Sequence, residues 1–258
     1  MPVHATAIVD PGANVDPTAE IGPYCILGPE VHIGAGTRLM AHVYVEGPTW
    51  IGENNLFYPY STVGVASQDL KYQGERAETR IGTRNRIREF VTIHRGTRGG
   101  GALTSIADDA LIMAYAHVAH DCHVGSRAIL ANGVTLGGHV TIAEHAVVGA
   151  FSGVHQFCRI GVHAMVAGYS VITRDVLPYA LVGVERDARL FGENKVGLSR
   201  RGFSPDTIQR LHKAFRLLRS SKLNTSQALS RIAAEIETCP EIEEVVRFVQ
   251  SGEKGVVK

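Results

Sequence analysis

The sequence has few of the features that would place it outside the ordinary globular proteins. It has only four cysteines in 258 residues, a formal net charge of +1, and no apolar run near the ~20 residues of a membrane span. Its first residues, MPVHATAIVD, show no basic segment followed by an apolar one. These absences argue against a disulfide framework, a membrane span, a secretory signal and bulk nucleic-acid binding. We therefore expect a cytoplasmic protein with reduced thiols and a substantial core.

What the sequence does contain is a six-residue repeat. A large apolar residue recurs every six positions from Val3 to Val63, from Ile81 to Ile93 and, after a one-residue shift, from Ile106 to Ile172. Two positions before it the residue is usually small or β-branched, so both point to the same side of a short strand. Glycine often follows the large residue, which suits a tight corner. Alternating strands and corners predict a coiled prism.

This pattern resembles the left-handed parallel β-helix of hexapeptide-repeat proteins, in which three repeats make one triangular coil of about 18 residues. The left hand comes from the resemblance alone, because parallel crossovers are otherwise right-handed. The repeats give about nine coils and a rod of roughly 40 to 45 Å. Cys25, Cys122 and Cys158 occupy the small inward position, so we expect them to be buried in the core.

Two segments interrupt the repeat and are predicted to loop outward, where a solenoid often binds its ligands. They are residues 66–80 and 94–105, and the second carries three consecutive glycines. Such glycines are compatible with a phosphate-binding loop, but no P-loop lysine follows them, which favours a flexible loop. We divide the chain into a β-helix over residues 1–190 and a C-terminal helical domain over residues 191–258.

The C-terminal pattern is typical of amphipathic helices. Ser204 is the predicted N-cap of the first helix, with Pro205 in its first turn and apolar residues on one face. Segments 224–238 and 240–252 predict two more helices, which would cover the open end of the last coil. Basic residues on the first helix and just beyond it form either a solvated helix face or a dock for an acidic protein. These are Arg210, Lys213, Arg216, Arg219 and Lys222.

The stretch AHVAHDCHVG, residues 116–125, concentrates histidines around an aspartate. Because residues one coil apart stack, His120 is expected next to Gly138 and Asp121 next to His139, all outside the core. A neutral imidazole can accept a hydroxyl proton, and a neighbouring carboxylate can fix its tautomer. A backbone N–H with no Cβ in front of it can stabilise an oxyanion. His120, Asp121 and Gly138 are therefore candidate catalytic residues for acyl transfer.

A metal site is the alternative for these histidines. His117, His120 and His123 supply enough nitrogen ligands for zinc, which γ-class carbonic anhydrases bind between β-helix subunits. Their spacing places His120 at a different repeat position from the other two, so convergence on one ion would require a neighbouring subunit. We therefore predict no metal site.

Six motifs carry a more specific resemblance: QDLKY at 68–72, RNRIRE at 84–89, TIHRGT at 92–97, AHDC at 119–122, VHQFC at 154–158 and RRGFS at 200–204. Together with the repeats they resemble, over essentially the whole chain, the bacterial UDP-N-acetylglucosamine O-acyltransferases that begin lipid A synthesis. The resemblance implies a homotrimer of parallel prisms with active sites between subunits. It also implies acyl carrier protein as donor partner and no cofactor.

The same resemblance implies roles for individual residues. His120 is the general base for the glucosamine 3-hydroxyl, and Gly138 donates to the thioester carbonyl of a 3-hydroxyacyl chain. Gly168 lies where acyl length is limited, and glycine there favours a longer chain. Arg200 and Arg201 bind pyrophosphate and uridine, which suits guanidinium groups. The other residues expected to contact substrate are Asp69, Lys71, His117, His139, His155, Gln156 and Asn194.

This sequence departs from the family pattern between Val182 and Val196, where it carries an extra residue and Arg186 or Asp187 replaces a histidine. The same base would also serve an N-acyltransferase acting on a 3-amino sugar, but that family has an additional N-terminal uridine-binding domain, whereas the repeats here begin at Val3. A zinc hydratase and a structural or ice-binding β-helix are the remaining alternatives. A purely structural β-helix gives no reason to stack His, Gly and Gln outside its core.

Overall fold

The computed structural model describes residues 3–183 and 188–258. Arg186 and Asp187, where the sequence departs from the family pattern, lie outside the described residues. Short strands follow one another from Ile8 to Gly183, and a last strand follows at Arg189. The strands are β1 (Ile8–Val9), β2 (Asn14–Val15), β3 (Glu20–Ile21), β4 (Ile26–Leu27), β5 (Val31–Ile33), β6 (Arg38–Leu39), β7 (Tyr44–Val45), β8 (Thr49–Ile51), β9 (Leu56–Phe57), β10 (Thr62–Val65), β11 (Glu78–Ile81), β12 (Arg86–Ile87), β13 (Thr92–His94), β14 (Leu103–Ile106), β15 (Leu111–Ile112), β16 (His117–Val118), β17 (His123–Val124), β18 (Ile129–Leu130), β19 (Thr135–Leu136), β20 (Thr141–Ile142), β21 (Val147–Val148), β22 (Gly153–Val154), β23 (Arg159–Ile160), β24 (Met165–Val166), β25 (Val171–Ile172), β26 (Ala180–Gly183) and β27 (Arg189–Glu193).

These strands form the three sides of a prism. The first sheet has nine strands, from β1 to β25, the second has eight, from β2 to β23, and the third has ten, from β3 to β27. From β1 to β22, each strand pairs in parallel with the strand three places further along the chain. The chain turns from the first sheet to the second at the first edge, from the second to the third at the second edge, and back to the first at the third edge. The predicted β-helix of hexapeptide repeats is confirmed.

The large residue of each repeat fills the interior of the prism. Ile93, Val118, Leu136 and Val154 pair in register on successive coils, and all four are buried. Burying an aliphatic side chain of this size stabilises the fold by roughly 1.5–3 kcal/mol. The small inward position behaves as predicted, because the cysteines at this position are fully buried and unpaired. They are Cys25, Cys122 and Cys158.

The third edge carries a column of aromatic rings. Each ring sits on a residue with positive φ, a conformation that turns its side chain outward at the corner. Tyr60 stacks on Phe90 at 5.0 Å and Phe90 on Tyr115 at 4.9 Å between ring centroids, and Tyr24 and His42 extend the column. Phe90 is 42% exposed, and the tyrosines of the column are more exposed still. The column is therefore an apolar strip on the outside of the single chain.

Both interruptions of the repeat leave the prism at the first edge. The first loop, residues 66–77, joins β10 to β11, and the second loop, residues 95–102, joins β13 to β14. Both are shorter than the predicted 66–80 and 94–105, because β11 and β14 begin inside those ranges and pair with each other. Counting repeats missed these strand residues because β11 and β14 have four residues each, whereas most strands of the prism have two.

The C-terminal region contains the three predicted helices and two elements that were not predicted. Ser204 caps the first predicted helix by accepting the Thr207 N–H at 3.0 Å, and its buried face is the predicted one. The unpredicted elements are a six-residue helix and β27, which pairs antiparallel to β26 and spans the predicted domain boundary at residue 190. That boundary stays a prediction. The helices are α1 (Lys195–Arg200), α2 (Pro205–Arg219), α3 (Thr225–Glu235) and α4 (Pro240–Gln250).

The part of the chain that the structure describes has no helix with the length and apolar character to cross a membrane.

Candidate active site

At the first edge, an imidazole and a carboxylate form a hydrogen-bonded pair. Nδ1 of His120 lies 2.8 Å from Oδ2 of Asp121. Because an ionised carboxylate only accepts hydrogen bonds, Nδ1 carries the proton and Nε2 presents a lone pair. The His120 side chain is 14% exposed and the Asp121 side chain 1% exposed. A base with a fixed tautomer therefore reaches the surface while its partner stays out of water.

Asp121 is buried, although the sequence placed it outside the core. The second loop covers it, and Thr97 donates to both carboxylate oxygens, through N–H at 2.8 Å and through Oγ1 at 2.6 Å. The N–H of Asp121 donates to Oγ1 of Thr104 at 2.8 Å. The repeat pattern could not show this burial, since it arises from the path of an inserted loop. The glycines of this loop therefore lie against a carboxylate of the protein itself.

The His120 ring lies against Gly138 on the next coil. A Cβ built at Gly138 would lie 2.5 Å from Nε2 of His120, far inside normal contact. The N–H of His139 donates to the His120 carbonyl at 3.0 Å, so the predicted one-coil register is confirmed. Within residues 3–183 and 188–258, the N–H of Gly138 makes no hydrogen bond. An unpartnered amide and a basic nitrogen are thus neighbours on the first edge.

Three further imidazoles surround this pair. His139 meets His120 edge-on at 5.0 Å and stacks on Phe157 at 4.3 Å between centroids. His117 lies 2.7 Å from Oγ1 of Thr92 and meets His94 edge-on. Burial lowers the pKa of His117 and His139, and it lowers the pKa of buried His94 to about 4. The structure adds His94 to the predicted residues. The TIHRGT motif contained it, but its position just after a large repeat residue gave no signal of its own.

The structure does not bring together the three histidines considered for zinc. His117 lies on the first sheet, whereas His123 lies on the second and contacts Oγ of Ser105 at 2.8 Å. Among the described residues, a different group has possible ligand atoms within 4.8 Å of one another: His120, Asp121 and His139. Both oxygens of Asp121 already accept hydrogen bonds from Thr97 and His120, which favours the acid–base reading of this group over a metal site.

The first loop borders an open cavity beside the pair. The cavity has a volume of about 670 Å³ and is lined by both loops and by the first edge, including Asp69, Lys71, Thr97, His139 and Phe157. Asp69 and Lys71, predicted from the sequence, therefore lie near His139. On the next coil of the same edge, the N–H of Phe157 donates to the Gly138 carbonyl at 3.1 Å, and the neighbouring His155 and Gln156 are exposed.

The remaining predicted residues lie elsewhere on the chain. Arg201 places Nη1 3.1 Å from Nδ1 of His163 on the second edge, and Asn194 donates to the His163 carbonyl at 3.1 Å. With Arg200 they line a separate cavity of about 450 Å³. Gly168 lies on the third edge, where a Cβ would approach the Ala150 carbonyl oxygen at 3.0 Å. A single chain therefore distributes the predicted site residues over all three edges of the prism.

A prism of hexapeptide coils, with an imidazole–carboxylate pair beside a backbone N–H that donates to no described residue, defines a hexapeptide-repeat acyltransferase. Residues 104–138 match the family model described as bacterial transferase hexapeptide (six repeats), and residues 175–257 match domain 2 of UDP-N-acetylglucosamine O-acyltransferase. The chain belongs to the UDP-N-acetylglucosamine acyltransferase family and is an enzyme of that class, as its similarity to solved structures shows.

Three solved structures illustrate that similarity. LpxA from Acinetobacter baumannii is 44% identical with a TM-score of 0.97, and the match covers 100% of both chains. UDP-N-acetylglucosamine O-acyltransferase (LpxA) from Moraxella catarrhalis is 41% identical with a TM-score of 0.95, again over 100% of both. UDP-N-acetylglucosamine acyltransferase of Arabidopsis is 32% identical with a TM-score of 0.86, over 99% of this chain and 100% of that chain.

Proposed function

We propose that the protein transfers an (R)-3-hydroxyacyl chain from acyl carrier protein to the 3-hydroxyl of UDP-N-acetylglucosamine, the first step of lipid A biosynthesis. The observation that carries this proposal is the placement of the His120–Asp121 pair against the unpartnered N–H of Gly138. Family membership supports the sugar nucleotide as acceptor. The donor, the position acylated and the mechanism are our inference from the site.

In the proposed mechanism, Nε2 of His120 takes the proton of the sugar hydroxyl as its oxygen attacks the thioester carbonyl. The C–O bond forms, and the N–H of Gly138 stabilises the charge on the carbonyl oxygen. Collapse breaks the C–S bond, and the thiolate takes the proton back from His120. Asp121 stabilises the imidazolium between these steps. No acyl-enzyme forms. General-base catalysis of this kind is worth roughly 10²–10⁴-fold in rate, and one oxyanion donor about 10²–10³-fold.

A homotrimer would bring together the predicted site residues that lie on different edges of the single chain. The outward face of the third sheet carries a half-buried apolar row, continuous from coil to coil. The aromatic column runs along the adjacent third edge. If the third sheet of one subunit packs on the first sheet of the next, the third edge faces the three-fold axis and both apolar strips become buried. The row consists of Leu111, Ile129, Val147, Met165 and Leu181.

This packing also places the second edge of one subunit beside the first edge of another. Arg200, Arg201 and Asn194 would then bind the pyrophosphate and uridine of a sugar that His120 of a neighbouring subunit deprotonates. His117 and Gln156 would face the same cleft. The acyl chain would follow the first sheet from the first edge towards Gly168, where the absence of a side chain leaves room for a longer chain.

Acyl carrier protein is proposed to dock on the basic stretch formed by α2 and the residues just after it. Two of the five basic residues noted there already have partners, since Arg210 pairs with Asp206 at 2.7 Å and Arg219 donates to the Phe191 carbonyl at 2.9 Å. The other three are exposed and form no ion pair with the rest of the described chain. An acidic carrier would meet three exposed positive charges in this stretch. The three residues are Lys213, Arg216 and Lys222.

Mass spectrometry of the product tests the proposed reaction. With 3-hydroxyacyl carrier protein and UDP-N-acetylglucosamine, we expect a single 3-hydroxyacyl ester that alkaline hydroxylamine cleaves. His120→Ala should abolish its formation without changing the folded state, whereas His123→Ala, three residues away on the second sheet, should retain activity. Turnover by His120→Ala at the wild-type rate would contradict the base role. Acylation only of a 3-amino sugar, as a stable amide, would contradict the acceptor.

A further inference from the structure

The second loop makes contacts with Asp121 that the reaction described above does not explain. Its backbone crosses the buried carboxylate, and Thr97 donates to Oδ1 through N–H and to Oδ2 through its hydroxyl. Oδ2 is also the atom that accepts from Nδ1 of His120. Thr97 and His120 therefore share one carboxylate oxygen. In a buried site, removing one donor from a shared acceptor changes the strength of the other hydrogen bond.

The glycines of this loop allow its backbone to lie directly on the carboxylate. A Cβ at Gly100 would lie 2.0 Å from Cγ of Asp121, and a Cβ at Gly96 would lie 2.8 Å from Oδ1 of the same residue. Any side chain at either position would push the loop away from Asp121. The loop is also closed on itself, because the Ala102 N–H donates to the Thr97 carbonyl at 2.8 Å. The three consecutive glycines thus belong to an ordered loop that covers the carboxylate.

We propose that Thr97 is a positioning residue for the base, holding the Asp121 carboxylate so that Oδ2 accepts the Nδ1 proton of His120 and Nε2 faces Gly138. This inference deepens the transfer reaction proposed above and rests on it. The Thr97 side chain is anchored for this task, since the residue is 6% exposed and its hydroxyl lies 2.6 Å from the carboxylate. It acts on the substrate through Asp121 and His120.

The hydroxyl has a second, electrostatic consequence. While it donates to Oδ2, the negative charge of that oxygen is shared between two donors. Without it, the carboxylate attracts the His120 proton more strongly and favours the imidazolium. Removing the hydroxyl should therefore raise the pH at which His120 becomes an effective base, in addition to loosening its orientation.

Kinetics of two substitutions test the proposal. Thr97→Val keeps the shape of the side chain and removes the hydroxyl, whereas Thr97→Ser keeps the hydroxyl. For Thr97→Val we expect kcat to fall about tenfold with unchanged KM values, and the acidic limb of kcat/KM to move up by about half a pH unit. Thr97→Ser should restore both. The matched control, Thr141→Val on the outward face of the second sheet, should behave as the wild type.

Nuclear magnetic resonance of ¹⁵N-histidine in the substrate-free protein tests the proposal independently of the reaction. Wild-type His120 should carry its proton on Nδ1, and Thr97→Val should weaken this preference and shift the titration upward. An unchanged tautomer and titration in Thr97→Val would overturn the positioning role, whatever the activity. So would a raised KM as the only kinetic effect, because it would indicate direct contact with substrate. A wild type that shows the expected resonances but makes no ester would instead overturn the proposed function.

Discussion

Four imidazoles lie close together at the first edge, but only His120 is within hydrogen-bonding distance of a carboxylate. Burial lowers the pKa of the other three, His94, His117 and His139, so they remain neutral near pH 7. In the proposed mechanism, neutral neighbours add no positive charge that would oppose proton transfer from the sugar hydroxyl to His120. The surroundings thus distinguish His120, the proposed base, from three chemically identical side chains.

Adding a single methyl group at Gly138 should slow the chemical step without preventing substrate binding. Gly138→Ala places a Cβ 2.5 Å from Nε2 of His120, so the imidazole must move away from the reacting hydroxyl. We expect kcat to fall by about 10²-fold or more, with the fold retained by circular dichroism. The matched control is Gly28→Ala at the N-terminal end of the same edge, where a Cβ meets no atom closer than 3.6 Å. Equal kcat values for the two variants would contradict the assignment of the oxyanion donor.

His94 should make stability depend on pH. Its pKa is lowered by burial from 6.5 to about 4, so between these values the unfolded chain binds a proton that the folded chain does not. The free energy of unfolding should therefore decrease as the pH falls from about 6.5 to about 4 and then level off. His94→Phe removes this contribution. Urea unfolding across this range should give a smaller pH dependence for the variant, and identical slopes would refute the assignment.

At the scale of elements, the sequence was informative where a pattern repeats and uninformative where an element is short. The hexapeptide period predicts the coils, and Ser204 with Pro205 predicts the start of α2. The six-residue helix α1 is too short for its periodicity to be recognised, and its cap, Asn194, serves the prism as well. β27 exists because it pairs with β26. Its residues alone do not predict that partner.

The residues that cap the two ends of α1 both contact one residue of the prism, His163. Asn194, the N-cap, donates to the His163 carbonyl, and Arg201, the C-cap, contacts Nδ1 of the same residue at 3.1 Å. Burial lowers the pKa of His163 to about 4, so the ring is neutral and can accept from the guanidinium. The orientation of the proposed phosphate-binding arginine therefore depends on this histidine.

Comparing two substitutions of His163 tests that dependence. Asparagine tolerates the positive φ of 56° and offers an oxygen near the position of Nδ1, whereas leucine offers no acceptor. We expect His163→Leu to raise KM for UDP-N-acetylglucosamine about tenfold relative to His163→Asn, with similar KM values for the acyl donor. Steady-state kinetics with each substrate varied in turn decides the matter. Equal KM values for the sugar nucleotide would show that Arg201 needs no such anchor.

At the scale of the whole molecule, the sequence predicts candidate site residues but not how they meet. Counting repeats places His120 next to Gly138, because that contact follows from one coil of chain. It cannot place Arg201 relative to His120, because the two lie on different edges and their meeting depends on a second subunit in the proposed trimer. The burial of Asp121 escaped prediction for a related reason, since it depends on the path of an inserted loop.

The aromatic column provides a test of the assembly. Phe90→Asp keeps the corner conformation, because aspartate tolerates a φ of 59°, but places a charge within the strip proposed to face the three-fold axis. We expect light scattering to show loss of the trimer and assays to show loss of activity. Thr141→Asp on the second sheet, which faces outward in this arrangement, should leave both unchanged. A fully active trimer of Phe90→Asp would exclude this packing.

The separation between His120 and Gly138 is one coil of the prism, so it is inherited from the hydrogen bonds that join successive coils. No individual side chain sets it. Gaining or losing whole coils on either side would lengthen or shorten the rod while the reacting groups kept their spacing. The distance between the proposed base and the proposed oxyanion donor is therefore independent of the length of the rod.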